Sequence, residues 1–172
     1  MELYGDKLND ISPLEISLDY KEHACRLADY VQDTSLYLHE RLTDGQTVLA
    51  EGAQGTLLDI DHGGYPFVTS SSTVAGAAAT GLGVSPMFIS EIIGVAKAFL
   101  TRVGEGPMTT EIIHNDKLIN HFRGDKDKPG AEYGATTGRP RRVGWLDLPA
   151  LRYAVRVNGM DKLALTKLDV LS

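Results

Sequence analysis

At 172 residues, with 42% hydrophobic and 23% charged residues, the chain has the size and make-up of one soluble globular domain. A net charge of −6 argues against a general nucleic-acid binder, and apolar runs broken by Gly, Thr or charge exclude a membrane span. The single cysteine, Cys25, rules out a disulfide framework; with no basic start and apolar stretch in MELYGDKLND, a reducing cytoplasm is the expected home.

Ile11-Ser12-Pro13 reads as a connector. From about Ser17 to Thr43, Tyr20, Ala24, Leu27, Val31, Leu38 and Leu42 recur at helical spacing, and Gly45 stands in the C-cap position. This predicts one long helix or two short ones packing a single face on a core, with Cys25 as a small core residue. Glycine then concentrates: 16 of the 18 glycines lie between Gly45 and Gly144, so this zone turns often and lets backbone approach something closely. Thr47-Val48-Leu49-Ala50 predicts a buried strand feeding Glu51-Gly52-Ala53-Gln54-Gly55. Phe67 to Ser70 predicts a second short strand entering a Ser/Thr cluster.

Pro86 is expected to open a helix through about Phe99, with Ile89, Ile92, Ile93 and Ala96 inward. Leu100 to Val103 reads as extended, and Gly104-Glu105-Gly106-Pro107 breaks it. Ile113 to Ala131 is charged and reads as an irregular surface excursion. Asp147 should cap a helix to about Val157 that buries Leu148, Leu151 and Val155 and ends at Asn158-Gly159. Leu163-Ala164-Leu165 predicts a buried strand covered by helices on both faces. Alternating strands and helices give the α/β class: a mainly parallel sheet with helices on both faces. Ligands on such sheets gather at the carboxyl ends of strands, where Gln54, Thr69 and Asp169 are expected.

Thr166-Lys167-Leu168-Asp169 follows that last strand. A carboxylate there can accept from guanine N1–H and its 2-amino group, while the lysine stem lies along the ring and its ammonium stays wet. Adenine presents the opposite pattern and would leave the carboxylate unsatisfied, at a cost of ~1–3 kcal/mol. Alone the tetrapeptide is weak, since solvated charges often end a strand. Arg139, Arg141 and Arg142 form a cationic cluster in an acidic chain, which suits small anionic ligands, a solvated loop being the plain alternative. Flanking glycines and repulsion between the three charges predict a mobile loop. Asp59, Asp61 and His62 could suggest a metal site but read better as structural hydrogen-bonders. Trp145 reads as a core anchor, and Glu111, His114 and His121 define no catalytic dyad.

EGAQGTLLDIDHGGYPFVTSSSTVAG, TRVGEGPMTTE, EYGATTGRPRRVGWLDL and LTKLDVL resemble, in order and spacing, the central part of adenylosuccinate synthetase. The resemblance implies an incomplete P-loop-like nucleotide-binding architecture, with residues 1–172 as the central part of a single domain and its N-terminal phosphate loop and C-terminal portion absent. That family makes adenylosuccinate from IMP and L-aspartate, splitting GTP with Mg²⁺. The γ-phosphoryl goes to the IMP 6-oxygen, and the aspartate amine then displaces phosphate. It implies a cytoplasmic homodimeric GTP-dependent C–N ligase of purine biosynthesis, with small-molecule substrates only.

Position by position, the resemblance assigns Gln54, Thr69 and Arg139 to IMP. Ala135, Thr136, Thr137, Gly138, Arg139, Pro140 and Arg141 match the loop that closes over aspartate. Arg141, Lys167, Leu168 and Asp169 match GTP contacts. It places no metal ligand in this chain; those for Mg²⁺ are expected from the N-terminal part, which would also bring the aspartate base and histidine acid. No G-x-x-x-x-G-K-[ST] occurs. Catalysis is therefore not expected of the chain alone, with Gln54 in a supporting role. A non-catalytic purine-nucleotide binding module, or half of a split enzyme, is the alternative.

Overall fold

The computed structural model describes residues 12–135 and 137–172, so the amino-terminal segment through Ile11, including the start of the expected connector, and Thr136 lie outside it. The predicted helical zone forms two helices. Helix α1 (Pro13–Leu27) is capped by Ser12, whose hydroxyl accepts from the Glu15 N–H at 3.3 Å. A 3-10 turn (Ala28–Tyr30) separates it from α2 (Thr34–Thr43), capped by Asp33 accepting from the Leu36 N–H at 3.0 Å. Gly45 takes the left-handed φ of +77° that ends the segment. Neither helix buries a residue among those described, and Cys25 is exposed rather than in a core. Periodicity fixed which face is apolar, but burial needs a neighbouring surface, and none of the described elements covers α1.

Two predicted strands are absent. Thr47 to Ala50 forms no ladder and Leu49 is 88% exposed, because a strand exists only against a partner. Phe67 to Ser70 is loop as well. There the Thr69 N–H bonds to Leu58 O at 2.7 Å, and the Ile60 N–H to Ser71 O at 3.3 Å, without regular pairing. After a short helix, α3 (Ala77–Leu82), the predicted Pro86–Phe99 helix is also corrected. Only a 3-10 turn forms at Pro86–Phe88, followed by β1 (Ile93–Lys97) and β2 (Phe99–Arg102). Ile92, Ile93 and Val95 are β-branched and Gly94 weakens a helix, so propensity favours extension where a short apolar run left periodicity ambiguous.

The expected irregular excursion from Ile113 to Ala131 contains α4 (Asp116–Arg123), capped by Asn115 accepting from the Leu118 N–H at 3.1 Å. Its Phe122 stacks on Phe99 at 4.8 Å, and with Val143 these residues form the core, each 3% exposed or less. Burying such a side chain contributes about 1.5–3 kcal/mol, so this cluster anchors the chain. Trp145 is half-exposed and meets the Phe122 edge at 5.4 Å, which makes it the rim of that core, not its centre.

β3 (Arg142–Trp145) pairs antiparallel with β2, Phe99 opposite Trp145. Helix α5 (Leu148–Asn158) forms with the predicted bounds, from the Asp147 cap to Gly159 at φ +63°, but Leu148 is 50% exposed and Leu151 and Val155 are only half-buried, so its predicted inner face is not sealed. β4 (Lys162–Thr166) pairs parallel with β1, Ile93 opposite Lys162 and Lys97 opposite Thr166. The α/β class holds, with one parallel and one antiparallel pair among the described residues. Leu163 and Leu165 do lie in a strand, but are 38% and 42% exposed, not buried.

Candidate functional site

Two groups of residues carry the candidate chemistry, each organised by a buried acid. The first surrounds Gln54. Its backbone is left-handed at φ +67°, its Nε2 donates to Thr69 Oγ at 3.0 Å, and its Oε1 accepts from Ser71 at 3.4 Å. Gln54 and Thr69 are thus brought together, but on loops, not at strand ends. Behind them Asp59 is fully buried. One carboxylate oxygen accepts from the Asp61 and His62 N–H groups at 2.9 and 3.0 Å. The other accepts from the Ser72 hydroxyl at 2.9 Å and from the Thr73 and Val74 N–H groups at 2.5 and 3.2 Å. Burial works against ionisation, but the backbone donors and Ser72 outweigh it and hold the acid far below the usual carboxylate range.

Within the Asp59-x-Asp61-His62 string the Asp59 carboxylate is the expected structural hydrogen-bonder, whereas Asp61 and His62 give it only their backbone N–H groups and are themselves exposed. Gly63 closes the same turn, where a Cβ would lie 2.4 Å from the Asp59 carbonyl oxygen, so no side chain fits. Asn158, at the end of α5, ties this loop to the body. Its amide donates to Thr56 Oγ at 2.8 Å and accepts from the Ala75 N–H at 2.7 Å.

The second group is a tight hairpin. The Arg141 N–H bonds to Glu132 O at 3.0 Å, the Gly134 N–H to Arg139 O at 2.9 Å, and the Gly138 N–H to Gly134 O at 2.8 Å. Gly138, at φ +61°, makes the reversal, and Ala135 and Thr137 sit exposed at the tip; Thr136 lies outside the described residues. Pro140 pairs with Tyr133 as part of the hairpin's frame.

At its base the Glu132 side chain is only 4% exposed and meets three cations. Lys97 Nζ lies 2.7 Å from both carboxylate oxygens, Arg141 donates at 3.0 Å, and Lys167 Nζ approaches to 3.3 Å. Burial again opposes ionisation, and Lys97 and Lys167 overcome it, drawing the Glu132 carboxyl below its ordinary range. Like charges about 5 Å apart repel by ~3 kcal/mol at an effective dielectric near 20, so the shared carboxylate is what lets these cations converge.

The expected repulsion among three arginines is therefore largely relieved. Arg141 binds Glu132, and Arg142 forks onto Glu111 while donating to Gly106 O at 2.9 Å. Arg139 is exposed and its guanidinium has no hydrogen-bond partner among the described residues, which suits it to capture a carboxylate. Lys167, left-handed at φ +62°, caps the 3-10 turn Leu168–Leu171, and Asp169 is exposed on that turn at the carboxyl end of β4. The Lys167 ammonium is not simply hydrated as expected: it also donates to Gly130 O, because the buried carboxylate draws it inward.

Glu132, Lys97 and Asn158 were not singled out from the sequence. Glu132 lay inside the quoted EYGATTGR block, but a buried acid is indistinguishable from a solvated one in a charged stretch. Among the described residues no hydrogen bond joins the Gln54 group to the Glu132 group directly. The open concavities beside Thr109 and Asp147, and along His39–Asp44, contain none of the predicted site residues. No cluster of three or more His, Cys, Asp or Glu residues able to hold a metal occurs among the described residues, nor a helix long and apolar enough to cross a membrane.

Residues 2–172 match the family model for adenylosuccinate synthetase. The adenylosuccinate synthetase of Thermodesulfovibrio yellowstonii is 58% identical over 157 residues, spanning 91% of this chain and 36% of the relative. That of Halothermothrix orenii is 55% identical, spanning 97% and 38%. The solved structure of fully ligated adenylosuccinate synthetase from Plasmodium falciparum superposes with a TM-score of 0.82 at 42% identity, covering 95% of this chain and 37% of that one. A cyanophage S-2L succinoaminodeoxyadenylate synthetase, bound to dGMP and dATP, shares the fold at a TM-score of 0.64 and 22% identity. The chain spans little more than a third of the length of the curated relatives it matches.

Proposed function

The chain belongs to the adenylosuccinate synthetase family, and on that premise we propose that it supplies IMP, aspartate and guanine contacts to a GTP-dependent ligase that forms adenylosuccinate. The observation that carries this reading is conformational. Among the described residues, the non-glycine positions with a left-handed backbone are Gln54 and Lys167, one from each proposed nucleotide site. Such a backbone costs about 1–2 kcal/mol per residue and persists where surrounding structure enforces it, as at ligand clamps.

In the proposed reaction IMP gives its N1 proton to the aspartate base expected from the N-terminal part, its 6-oxygen attacks the γ-phosphorus of GTP, the bond to the β-phosphate oxygen breaks, and GDP leaves. The aspartate amine then bonds to purine C6, phosphate departs with the 6-oxygen, and the amine loses a proton. Gln54 would donate an amide N–H to the 6-oxygen as it gains charge, without adding a titrating group. Thr69 beside it would help hold the IMP phosphate. Thr136, and Thr137 at the hairpin tip, would offer hydroxyls to aspartate, with Arg139 gripping a carboxylate and reaching IMP. Arg141 would meet GTP from the hairpin base, and Lys167, Leu168 and Asp169 would form the guanine pocket.

The residues described here do not fit the Mg²⁺ that the family implies. Asp59, the most buried acid, has both oxygens filled by protein donors, and no acidic cluster lies free. A cytoplasmic homodimer is part of the same proposal.

The test replaces the matching stretch of the Thermodesulfovibrio yellowstonii enzyme with this chain and changes Asp169→Asn. The new amide points a donor at a guanine donor, losing a charge-assisted bond and leaving a polar group unpaired. GTP use should fall at least about tenfold, and xanthosine triphosphate, which carries an oxygen at position 2, should partly restore it. Unchanged GTP affinity would return Thr166–Asp169 to an ordinary solvated strand end.

A further inference from the structure

We infer that Glu132 is a positioning residue which ties the hairpin of residues 132–141 to Lys167, so that the proposed aspartate loop and guanine end are set as one unit. The inference rests on the reading of Arg141 and Lys167 as nucleotide contacts. It adds a residue to which no ligand contact is assigned.

Four observations converge. Glu132 is among the few buried charged side chains described, and it is met from three separate elements: Lys97 from the end of β1, Arg141 from the returning arm of the hairpin, and Lys167 from the end of β4. Its backbone is fixed too, with its N–H on Arg123 O at 2.7 Å and its carbonyl accepting from the Arg141 N–H at 3.0 Å. The cations are each 23–31% exposed at the side chain, so their charged ends sit at the boundary of the interior and are not lost in it. Finally, three positive charges share one negative, leaving the cluster with a surplus of two.

The consequence is geometric. Lys167 has a left-handed backbone and a long, flexible stem, and nothing in the stem itself selects one rotamer. Glu132 and the Gly130 carbonyl hold its tip, which fixes where the methylenes lie and hence the surface a flat base would meet. The same carboxylate holds Arg141. A movement of the hairpin that shifts Glu132 must therefore shift Lys167, and the reverse follows from linkage.

The experiment uses the 172-residue chain without ligand, so the tether is tested apart from nucleotide binding. Side-chain ammonium NMR signals of Lys97 and Lys167 are assigned through Lys97→Arg and Lys167→Arg. In the unmodified chain both should exchange slowly with water. In Glu132→Gln both should exchange at least about tenfold faster, while amide shifts of α5 stay in place.

Lys167→Met keeps the stem and removes the ammonium. It should move the amide resonances of Gly134, Gly138 and Arg139 although it lies outside the hairpin, and it decides the matter if Glu132→Gln does not fold. Glu132→Asp should fall between the parent and Glu132→Gln. Hairpin amides unmoved by Lys167→Met, or a Lys167 signal unchanged in Glu132→Gln, would overturn the coupling. GTP titration of the unsubstituted chimera examines the underlying reading separately: failure there with the tether intact sinks the nucleotide assignment and leaves the geometry standing.

Discussion

Asp59 and Glu132 are acids of nearly equal burial that are satisfied in opposite ways. Asp59 accepts from four backbone N–H groups and one hydroxyl, all neutral, drawn from two turns of one loop system. Glu132 accepts from three cationic side chains on three different elements. Neutral donors on the main chain fix a shape, and the loop cannot change without breaking several bonds together. Cationic side chains have soft torsions and compete for the same two oxygens, so they hold a geometry while allowing it to be redistributed. The first arrangement suits the frame beneath Gln54 and Thr69, the second a hairpin proposed to close over a substrate.

The contrast breaks most visibly at Asp59. An asparagine there has nearly the same shape but turns an amide N–H₂ toward donors that had a carboxylate oxygen. Unpaired buried N–H groups are costly, and several would be created together. Thermal unfolding of Asp59→Asn should therefore begin on the order of 10 °C lower than in the parent chain, with little dependence on salt. A drop of less than about 2 °C would mean that the backbone donors have other partners and that Asp59 does not hold the loop.

Glu132→Gln should cost less, about 1–3 kcal/mol at neutral pH. A buried acid is lost, but its partners are partly hydrated and can turn to water. Because those partners are ions, added salt should shrink the difference from the parent, unlike at Asp59. Acid sharpens the comparison further. The folded Glu132 carboxyl lies below its ordinary value of 4.5, so its contribution is complete above that pH and fades as pH falls through the folded value. Parent and Glu132→Gln should thus converge in stability as pH drops below 4.5. Curves that stay parallel would show that the charge of Glu132 is not what stabilises.

What the sequence disclosed, and what it hid, divides along the same line. Features carried by adjacent residues were legible: the Asp147 cap, α5, its Gly159 stop, the extended run at Leu100, and the strand that leads into Lys167-Leu168-Asp169. Features that need a remote partner were not. Thr47 to Ala50 has strand-forming residues but no neighbour to bond among the described residues, and Ile89 to Ala96 has helical spacing, yet its second half enters β1, which pairs with the distant β4, Ile93 opposite Lys162. At the site, matching motifs identified Gln54, Thr69, the hairpin and Lys167 as candidates. Burial of Glu132 depends on three elements converging, and no local pattern in a charged stretch announces that.

The smallest expected effect concerns the strain at Gln54, and it tests whether the Asp59 frame imposes a conformation or merely tolerates one. Gln54 is exposed, so its bonds to Thr69 and Ser71 compete with water and contribute little, about 0.5 kcal/mol. Its backbone at φ +67° should cost more than those bonds return. Gln54→Ala loses the bonds and keeps the backbone penalty. Gln54→Gly loses the same bonds but removes the penalty, since a residue without Cβ occupies that region freely. Glycine should therefore be the more stable of the two variants by about 1 kcal/mol, partly offset by the greater freedom of its unfolded chain. That order reverses what an ordinary exposed position would give, where alanine is the better residue. Chemical denaturation of both variants measures the difference directly. Alanine proving the more stable would mean that Gln54 relaxes out of the left-handed region in solution, and the conformational support for the proposed IMP site would go with it.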